Sequence, residues 1–251
     1  MSKKTGVWCR QRILLDVKFG EGAFMETSEK AEELANCMIS IGKYFHKDVR
    51  VIISNMNQPL GNAIGNALEV KEAIATLQGN GPKDFVELCF EAGSIMLLQA
   101  KAAFSKEQAR AMLKETLQNG KAYEKLVEMV KAQHGDVEQI YHPELLPQAE
   151  HVIEITSKEE GYVKELHALQ LGLLAMRLGA GRMVKEDVVD PSVGIVLHKK
   201  DGDYVQKGES LASVHTKQNL DEDWLKDFYD SFVFSKNKVD EKPLIYKIIE
   251  E

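Results

Sequence analysis

The stretch N-Q-P-L-G-N-A-I-G-N-A-L-E-V-K-E-A, residues 57–73, places a proline and two glycines at the start of a predicted helix. Pro59 fixes one turn of the backbone, whereas Gly61 and Gly65 allow the backbone to approach another backbone or a ligand closely. The residues from Leu68 onward follow the spacing of an amphipathic helix. The stretch therefore indicates either a ligand-binding segment or a glycine-rich seam between packed elements, and the pattern alone favours neither.

Two short apolar runs, at residues 13–17 and 49–53, precede this stretch and are separated by a helical pattern. Together with a predicted helix over residues 57–77, they give the strand, helix, strand, helix order of a parallel α/β sheet. The glycine-rich run F-G-E-G-A-F, residues 19–24, follows the first strand. Ligands bind at such positions in open α/β sheets, so Phe24 is predicted either to stack on a flat ring or to lie in the core of a tight turn.

The pattern is helical over about residues 82–134, and His142 and Pro143 then mark a linker. This change divides the chain into a central, mixed α/β domain at residues 1–142 and an α+β domain at residues 143–251. The second domain is predicted to contain, in chain order, a strand at 151–156, a helix at 167–178, two short strands within 193–215, a helix at 220–234 and a strand at 244–249.

The run G-D-Y-V-Q-K-G-E-S-L, residues 202–211, is similar to one half of a biotinyl or lipoyl hammerhead. A carrier domain also needs a lysine at the tip of an opposing hairpin. The predicted helix at residues 167–178 occupies that place in the sequence. The run therefore predicts a hammerhead structure without a swinging-arm lysine.

The composition is that of a globular protein, with 44% hydrophobic and 28% charged residues. A net charge of -7 argues against nucleic acid as a partner, although a local cationic pocket for a small anionic ligand remains open. No run reaches the roughly 18 apolar residues that span a membrane, so no membrane partner is predicted. Three cysteines without C-x-x-C spacing argue against a disulfide framework or a zinc site and favour the cytoplasm.

Glu72 has the chemistry of a hard-cation ligand. Its carboxylate, with the carbonyl oxygens of Leu60 and Ala63 in the irregular turn before it, would suit K⁺ or Ca²⁺. A surface glutamate would have the same spacing, so that alternative stays open. The sequence contains no nucleophilic triad, H-E-x-x-H, Walker or Rossmann pattern, and no organic cofactor is predicted.

Five motifs in a fixed order carry a resemblance to a known family. They are M-S-K-K at 1–4, L-D-V-K-F-G-E-G-A-F-M at 15–25, the stretch at 57–73, G-Y-V-K-E-L-H-A-L-Q-L-G-L-L-A-M-R-L-G-A-G-R at 161–182, and G-D-Y-V-Q-K-G-E-S-L-A-S-V-H at 202–215. They resemble the pyrimidine-nucleoside phosphorylase and thymidine phosphorylase family. The resemblance implies a pentosyltransferase of nucleoside salvage, which uses phosphate to split uridine, thymidine or deoxyuridine into free base and pentose 1-phosphate. It also implies a homodimer with a C-terminal hammerhead domain, and it leaves the preference between thymidine and uridine open.

The resemblance also implies roles for individual residues. Leu60 and Ala63 fall where the family supplies carbonyl ligands to a monovalent cation, K⁺, and Glu72 falls where it supplies the carboxylate. Phe24 falls where the family lines the pocket for the pyrimidine base. Lys3 matches the lysine that donates a hydrogen bond to a pyrimidine carbonyl, a position where negative charge builds on the leaving base.

The glycine-rich K-x-S-T-G-G-x-G-D loop that holds phosphate in this family does not occur in the sequence. The family's pocket histidine and the arginine and serine that hold the base are also missing, as are the cation ligands of that loop. We therefore expect an N-terminally truncated member that is inactive alone. The alternative is a non-catalytic binding or scaffold module derived from the family.

Residues 5–12, T-G-V-W-C-R-Q-R, depart from the family, which has a small-residue segment resembling L-A-S-G-A-D-N at this place. The codons ACT GGC GTC TGG TGC CGA CAA CGC encode these residues, and reading one nucleotide later gives Leu-Ala-Ser-Gly-Ala-Asp-Asn. We hypothesise a local frame error that is compensated just before Ile13. Resequencing the corresponding DNA tests this hypothesis.

Overall fold

The computed structural model describes residues 11–240 and 242–250 of the chain. Lys3 lies outside the described residues, as does most of the segment at residues 5–12. The helices in the described part are α1 Ser28–Tyr44, α2 Asn66–Leu77, α3 Lys83–Gln99, α4 Lys106–Gln118, α5 Lys121–Ala132, α6 Glu138–Tyr141, α7 Ala168–Ala175 and α8 Glu222–Asp230, with a 3₁₀ turn at Pro143–Leu145 and a π-helical segment at Met176–Ala180. None of these helices is long and apolar enough to cross a membrane.

The strands complete a mixed α/β fold. They are β1 Arg12–Phe19, β2 Asp48–Asn55, β3 Ala63–Ile64, β4 His151–Thr156, β5 Gly161–Leu166, β6 Gly194–Leu197, β7 Tyr204–Val205, β8 Ser210–Thr216, β9 Phe232–Ser235 and β10 Ile245–Ile249. The predicted mixed α/β class is confirmed.

The chain forms two compact units, each assembled from segments distant in sequence. The first contains the described residues up to Met56 together with 86–115 and 243–250, and the second contains Asn57–Phe85 and Thr116–Lys242. The predicted domain limits at 1–142 and 143–251 follow the order of the chain instead. Those limits stay a prediction.

In the first unit, β1 and β2 pair in parallel and β10 adds antiparallel to β2, giving the order β1-β2-β10. The predicted parallel pair is therefore confirmed, while its third strand comes from the far end of the chain. Thr27 caps helix α1, which begins at Ser28, and its hydroxyl oxygen accepts a hydrogen bond from Lys30 N at 3.3 Å. Its buried face packs on the sheet, and the shared core contains Val17, Ala31, Ala35, Ile39, Val49, Val51 and Ile53.

The predicted helix at residues 57–77 is wrong over its first nine positions, because α2 begins at Asn66. The preceding segment is an irregular loop followed by the two-residue strand β3. Gly61 has φ +72° and Gly65 has φ +142°, both outside the helical region. The glycines thus keep the segment out of the helix, although the side-chain pattern alone did not place the boundary.

The second unit contains two sheets, with the orders β3-β6-β8-β4 and β7-β5-β9. The two strands of the 202–211 run, β7 and the start of β8, lie in different sheets, so the run links the sheets. The predicted helix at 220–234 ends at Asp230. The residues after it, Phe232–Ser235, form β9, which pairs with β5. Neither β5 nor β9 was predicted from the sequence. The core of this unit contains Leu166, Leu171, Leu174, Ile195, Leu197, Leu211, Trp224 and Phe228.

Candidate functional site

Glu72 closes the loop that leads into α2. Its Oε1 atom accepts hydrogen bonds from Asn62 N at 2.9 Å and from Ala63 N at 3.0 Å. Gly61 lies against the other carboxylate oxygen, since a Cβ atom added there would stand 2.2 Å from Glu72 Oε2. A side chain at this position would force the Glu72 carboxylate to shift, and the φ angle of +72° also favours glycine. The carboxylate is therefore part of the loop structure and is not an isolated surface charge.

Burial raises the pKa of the Glu72 carboxyl group, and the nearby Asp84 carboxylate raises it further. The hydrogen bonds from Asn62 and Ala63 and the charge of Lys200 act in the opposite direction but do not cancel the burial effect. The ionised form of Glu72 is therefore less favourable here than in water. A cation bound beside the carboxylate would offset part of that cost.

The register of β3 fixes the direction of the Ala63 carbonyl group. Leu197 N donates to Asn62 O at 2.8 Å, and Ala63 is paired with Val196. Hydrogen-bonded and non-hydrogen-bonded pairs alternate in an antiparallel ladder, and both polar groups of one residue face the same side. The N–H and C=O of Ala63 therefore face away from β6, on the side where Ala63 N meets Glu72.

Leu60, Ala63 and Glu72, the three predicted cation ligands, thus lie in one loop and the helix that follows it. Leu60 directly precedes Gly61, which contacts the Glu72 carboxylate. The donor set contains oxygen atoms only, which suits a hard cation. Within residues 11–240 and 242–250, no group of three or more His, Cys, Asp or Glu side chains is placed to hold a metal ion. A site here would therefore depend on backbone carbonyl groups.

Lys200 contacts two carbonyl groups of the same loop. Its ammonium group donates to Pro59 O at 2.5 Å, to Gly61 O at 2.8 Å and to Asp84 Oδ2 at 2.5 Å. The sequence reading missed both Lys200 and Asp84. No local pattern marks them, because Lys200 is separated from Gly61 by 139 positions.

Phe24 projects from the glycine-rich loop after β1 and is fully exposed, at 101% of its reference area. The loop is closed by backbone hydrogen bonds, including Gly20 N to Met25 O at 2.9 Å and Gly22 N to Met56 O at 3.1 Å. The alternative that Phe24 lies in the core is wrong, because these bonds hold the turn without its side chain. Its role in stacking on a base stays a prediction, as does the role of Lys3, which lies outside the described residues.

A cavity of about 600 Å³ lies in the second unit where two of the quoted motifs meet. Its lining includes Gly65, Asn66 and Glu69 from the start of α2, and Gly172 and Met176 from the 161–182 motif. Asn66 Nδ2 also donates across it to a backbone carbonyl group of that motif at 3.1 Å. The two motifs are therefore adjacent in space although about 100 residues separate them.

The comparisons with known proteins agree with this architecture. Residues 3–123 match the family described as "Glycosyl transferase family, a/b domain", and residues 162–235 match "Pyrimidine nucleoside phosphorylase C-terminal domain". The two matches identify an α/β domain of the glycosyl transferase family and a later domain of the pyrimidine nucleoside phosphorylase type.

Curated relatives narrow this class further. The chain is 49% identical over 251 residues to the pyrimidine-nucleoside phosphorylases of Staphylococcus aureus strains USA300, NCTC 8325 / PS 47 and MSSA476. The alignments include 100% of this chain, which spans 58% of the length of each relative. The chain belongs to the pyrimidine-nucleoside phosphorylase family.

Proposed function

We propose that this chain forms the base-binding and cation-binding part of a pyrimidine-nucleoside phosphorylase. The reaction is phosphorolysis of uridine, thymidine or deoxyuridine, in which phosphate displaces the base and yields a pentose 1-phosphate. The observation that carries the proposal is the 49% identity over all 251 residues to relatives named for this activity. The phosphate-binding loop would come from the part of those relatives that this chain does not span.

Three groups of the chain have proposed roles. Lys3 donates to a pyrimidine carbonyl and stabilises the negative charge that develops on the leaving base. Phe24 lines the base pocket, which its full exposure leaves open to a ligand. Leu60 and Ala63 supply carbonyl oxygens, and Glu72 a carboxylate, to a K⁺ ion or to Ca²⁺ in its place.

The bound cation would supply a positive charge that balances Glu72. Asn62 and Ala63 orient the carboxylate through their N–H groups, and β3 directs the Ala63 carbonyl group to the same side.

We further propose a cytoplasmic homodimer. The exposed, unpaired thiols of Cys37 and Cys89 are in keeping with the cytoplasm. Light scattering measures the subunit number.

Uracil release from uridine and phosphate tests the activity. The chain alone is expected to show no release above background, since its sequence lacks the phosphate loop. A chimera that joins the chain to the unmatched part of the Staphylococcus aureus relative, and replaces residues 5–12 with that relative's segment, is expected to release uracil. A folded chimera that binds uridine without cleaving it would favour a non-catalytic binding module.

Replacing Glu72 with glutamine is expected to remove stabilisation of the folded chain by K⁺. The amide oxygen can still accept from Asn62 and Ala63, so the loop should stay folded, but the negative charge that attracts the cation is lost. At a K⁺ concentration ten times the dissociation constant, binding stabilises a protein by about 1.4 kcal/mol, or about 3–6 °C in melting temperature at this size. Thermal unfolding in KCl, CaCl₂ and NaCl at equal ionic strength measures the effect and distinguishes the ions.

Glu69→Gln is the matched control, because Glu69 lies one turn earlier on α2 and its carboxylate accepts from Gly65 N at 3.0 Å. This variant should keep the K⁺ response. Equal responses in wild type and Glu72→Gln would remove Glu72 from the cation site.

The pH dependence of stability has a definite sign at Glu72. Its pKa in the folded chain is raised above the ordinary value of 4.5, mainly by burial, so its contribution to stability is complete below that value and is lost as pH rises through the raised pKa. Glutamine stays neutral and has no such loss. In buffer without K⁺, wild type should therefore lose stability relative to Glu72→Gln as the pH rises above the ordinary carboxyl pKa of 4.5. Urea unfolding at several pH values measures the difference, and a constant difference would contradict the assignment.

A further inference from the structure

The turn that follows β6 holds the loop before α2 at two points. Lys200 donates to the carbonyl groups of Pro59 and Gly61 and to Asp84. The next residue, Asp201, donates its backbone N–H to Gln58 Oε1 at 3.1 Å. Lys199 and Lys200 are both largely buried, but only Lys200 contacts this loop, whereas Lys199 pairs with Glu209.

The surroundings of Lys200 resemble a small cation site. Two carbonyl oxygens and one carboxylate oxygen surround its ammonium group at 2.5–2.8 Å, and its side chain is only 16% exposed. Asp84 also accepts from Gly61 N at 3.2 Å, so the loop and the carboxylate are joined directly as well. Oxygen atoms gathered in this way repel one another unless a positive charge lies between them.

Lys200 and Glu72 contact different polar groups of the loop. Lys200 takes the carbonyl groups of Pro59 and Gly61, whereas the N–H groups of Asn62 and Ala63 donate to Glu72. Lys200 falls in the range that matches the C-terminal phosphorylase domain, and the loop falls in the range that matches the α/β domain. A side chain of the later domain therefore shapes the loop of the earlier one.

We propose that Lys200 is a positioning residue of this loop: its ammonium group is a fixed internal cation that holds the Pro59 and Gly61 carbonyl groups and so leaves the Leu60, Ala63 and Glu72 side for a free monovalent cation. The inference rests on the proposed cation site. The test measures the local structure of the loop and not enzyme activity. A chain without activity can therefore still show whether Lys200 holds the loop.

The test compares Lys200→Met with Lys199→Met in the 251-residue chain. Lys199 is the matched control because it lies in the same turn and is 17% exposed, yet it pairs with Glu209 and donates to Tyr204 O at 3.2 Å. Amide hydrogen exchange over residues 57–68 covers the N–H groups that donate to Glu72 and Asp84. Lys200→Met is expected to speed this exchange at least tenfold, since the loop opens locally, and Lys199→Met to leave it unchanged. Equal effects of the two substitutions overturn the proposal.

A second variant tests the charge itself. Lys200→Ala removes the atoms of propylammonium from the side chain, so added propylammonium chloride can refill the space between the three oxygen atoms. We expect it to restore slow exchange over residues 57–68, while tetramethylammonium chloride at equal ionic strength does not. Lys200→Met keeps most of the volume filled and should not respond. If propylammonium leaves the exchange rates of Lys200→Ala unchanged, Lys200 does not act as an internal cation. If the variant folds only in that salt, folding in propylammonium but not in tetramethylammonium is the same test.

Discussion

Replacing Lys3 with alanine in the active chimera is expected to lower kcat/KM for uridine by on the order of 2–4 kcal/mol in transition-state stabilisation, or roughly 30- to 1000-fold. The family resemblance places this lysine on a pyrimidine carbonyl. Negative charge builds there as the glycosidic bond breaks, so a charged donor contributes more in the transition state than in the ground state. Most of the loss should therefore fall on kcat, and steady-state assays over a range of uridine concentrations measure the division between kcat and KM.

Lys4→Ala is the control for Lys3→Ala, because it removes the same charge one position later in the M-S-K-K motif. It should change kcat/KM by less than threefold, within the range of a general charge effect. A silent Lys3→Ala variant, or equal losses in both variants, would contradict the base-binding role.

Gly194→Ala is expected to destabilise the chain by on the order of 3 kcal/mol, the largest structural effect among these predictions. Gly194 has φ +156°, and an added Cβ atom would stand 2.2 Å from Ile64 O and 3.1 Å from Gly65 Cα. These atoms belong to the backbone of β3 and the start of α2, which cannot move aside without breaking the pairing of β3 with β6. Urea unfolding measures the change in the free energy of unfolding.

Gly208→Ala separates the clash from the cost of the backbone conformation. Gly208 has φ +86° but nothing within 4 Å of an added Cβ atom, so this variant should lose only about 1–2 kcal/mol. If Gly194→Ala and Gly208→Ala lower the free energy of unfolding equally, the close packing of Gly194 against Ile64 and Gly65 does not contribute to stability.

Several features of the site could be predicted from the sequence because they depend on neighbouring residues. The two glycines of the 57–73 stretch predicted close backbone approach, and the packing alternative is confirmed at Gly65, where an added Cβ atom would meet Val193 O at 2.5 Å. Gly61 instead lies against the Glu72 carboxylate. One pattern thus contained both interpretations, since the absence of a side chain serves either purpose.

The start of α2 and the position of Phe24 were less predictable. The predicted helix included residues 57–65, but Gly61 and Gly65 have positive φ angles and α2 begins only at Asn66. Phe24 has an aromatic side chain of the kind usually found in a core, yet the hydrogen bonds of its loop are complete without it. In both cases the backbone conformation, and not the side-chain type, decided the outcome.

The sequence by itself determined the family and the parallel β1-β2 pair and singled out Glu72 as a candidate ligand, because motif order, apolar runs and residue type are local properties. Only the tertiary structure decided which carbonyl groups of the loop face which way and which cation holds them. The side of Ala63 follows from its pairing with Val196, and Lys200 reaches Gly61 across 139 positions of sequence. Such contacts depend on how segments distant in sequence align in space, and neither segment alone specifies its partner.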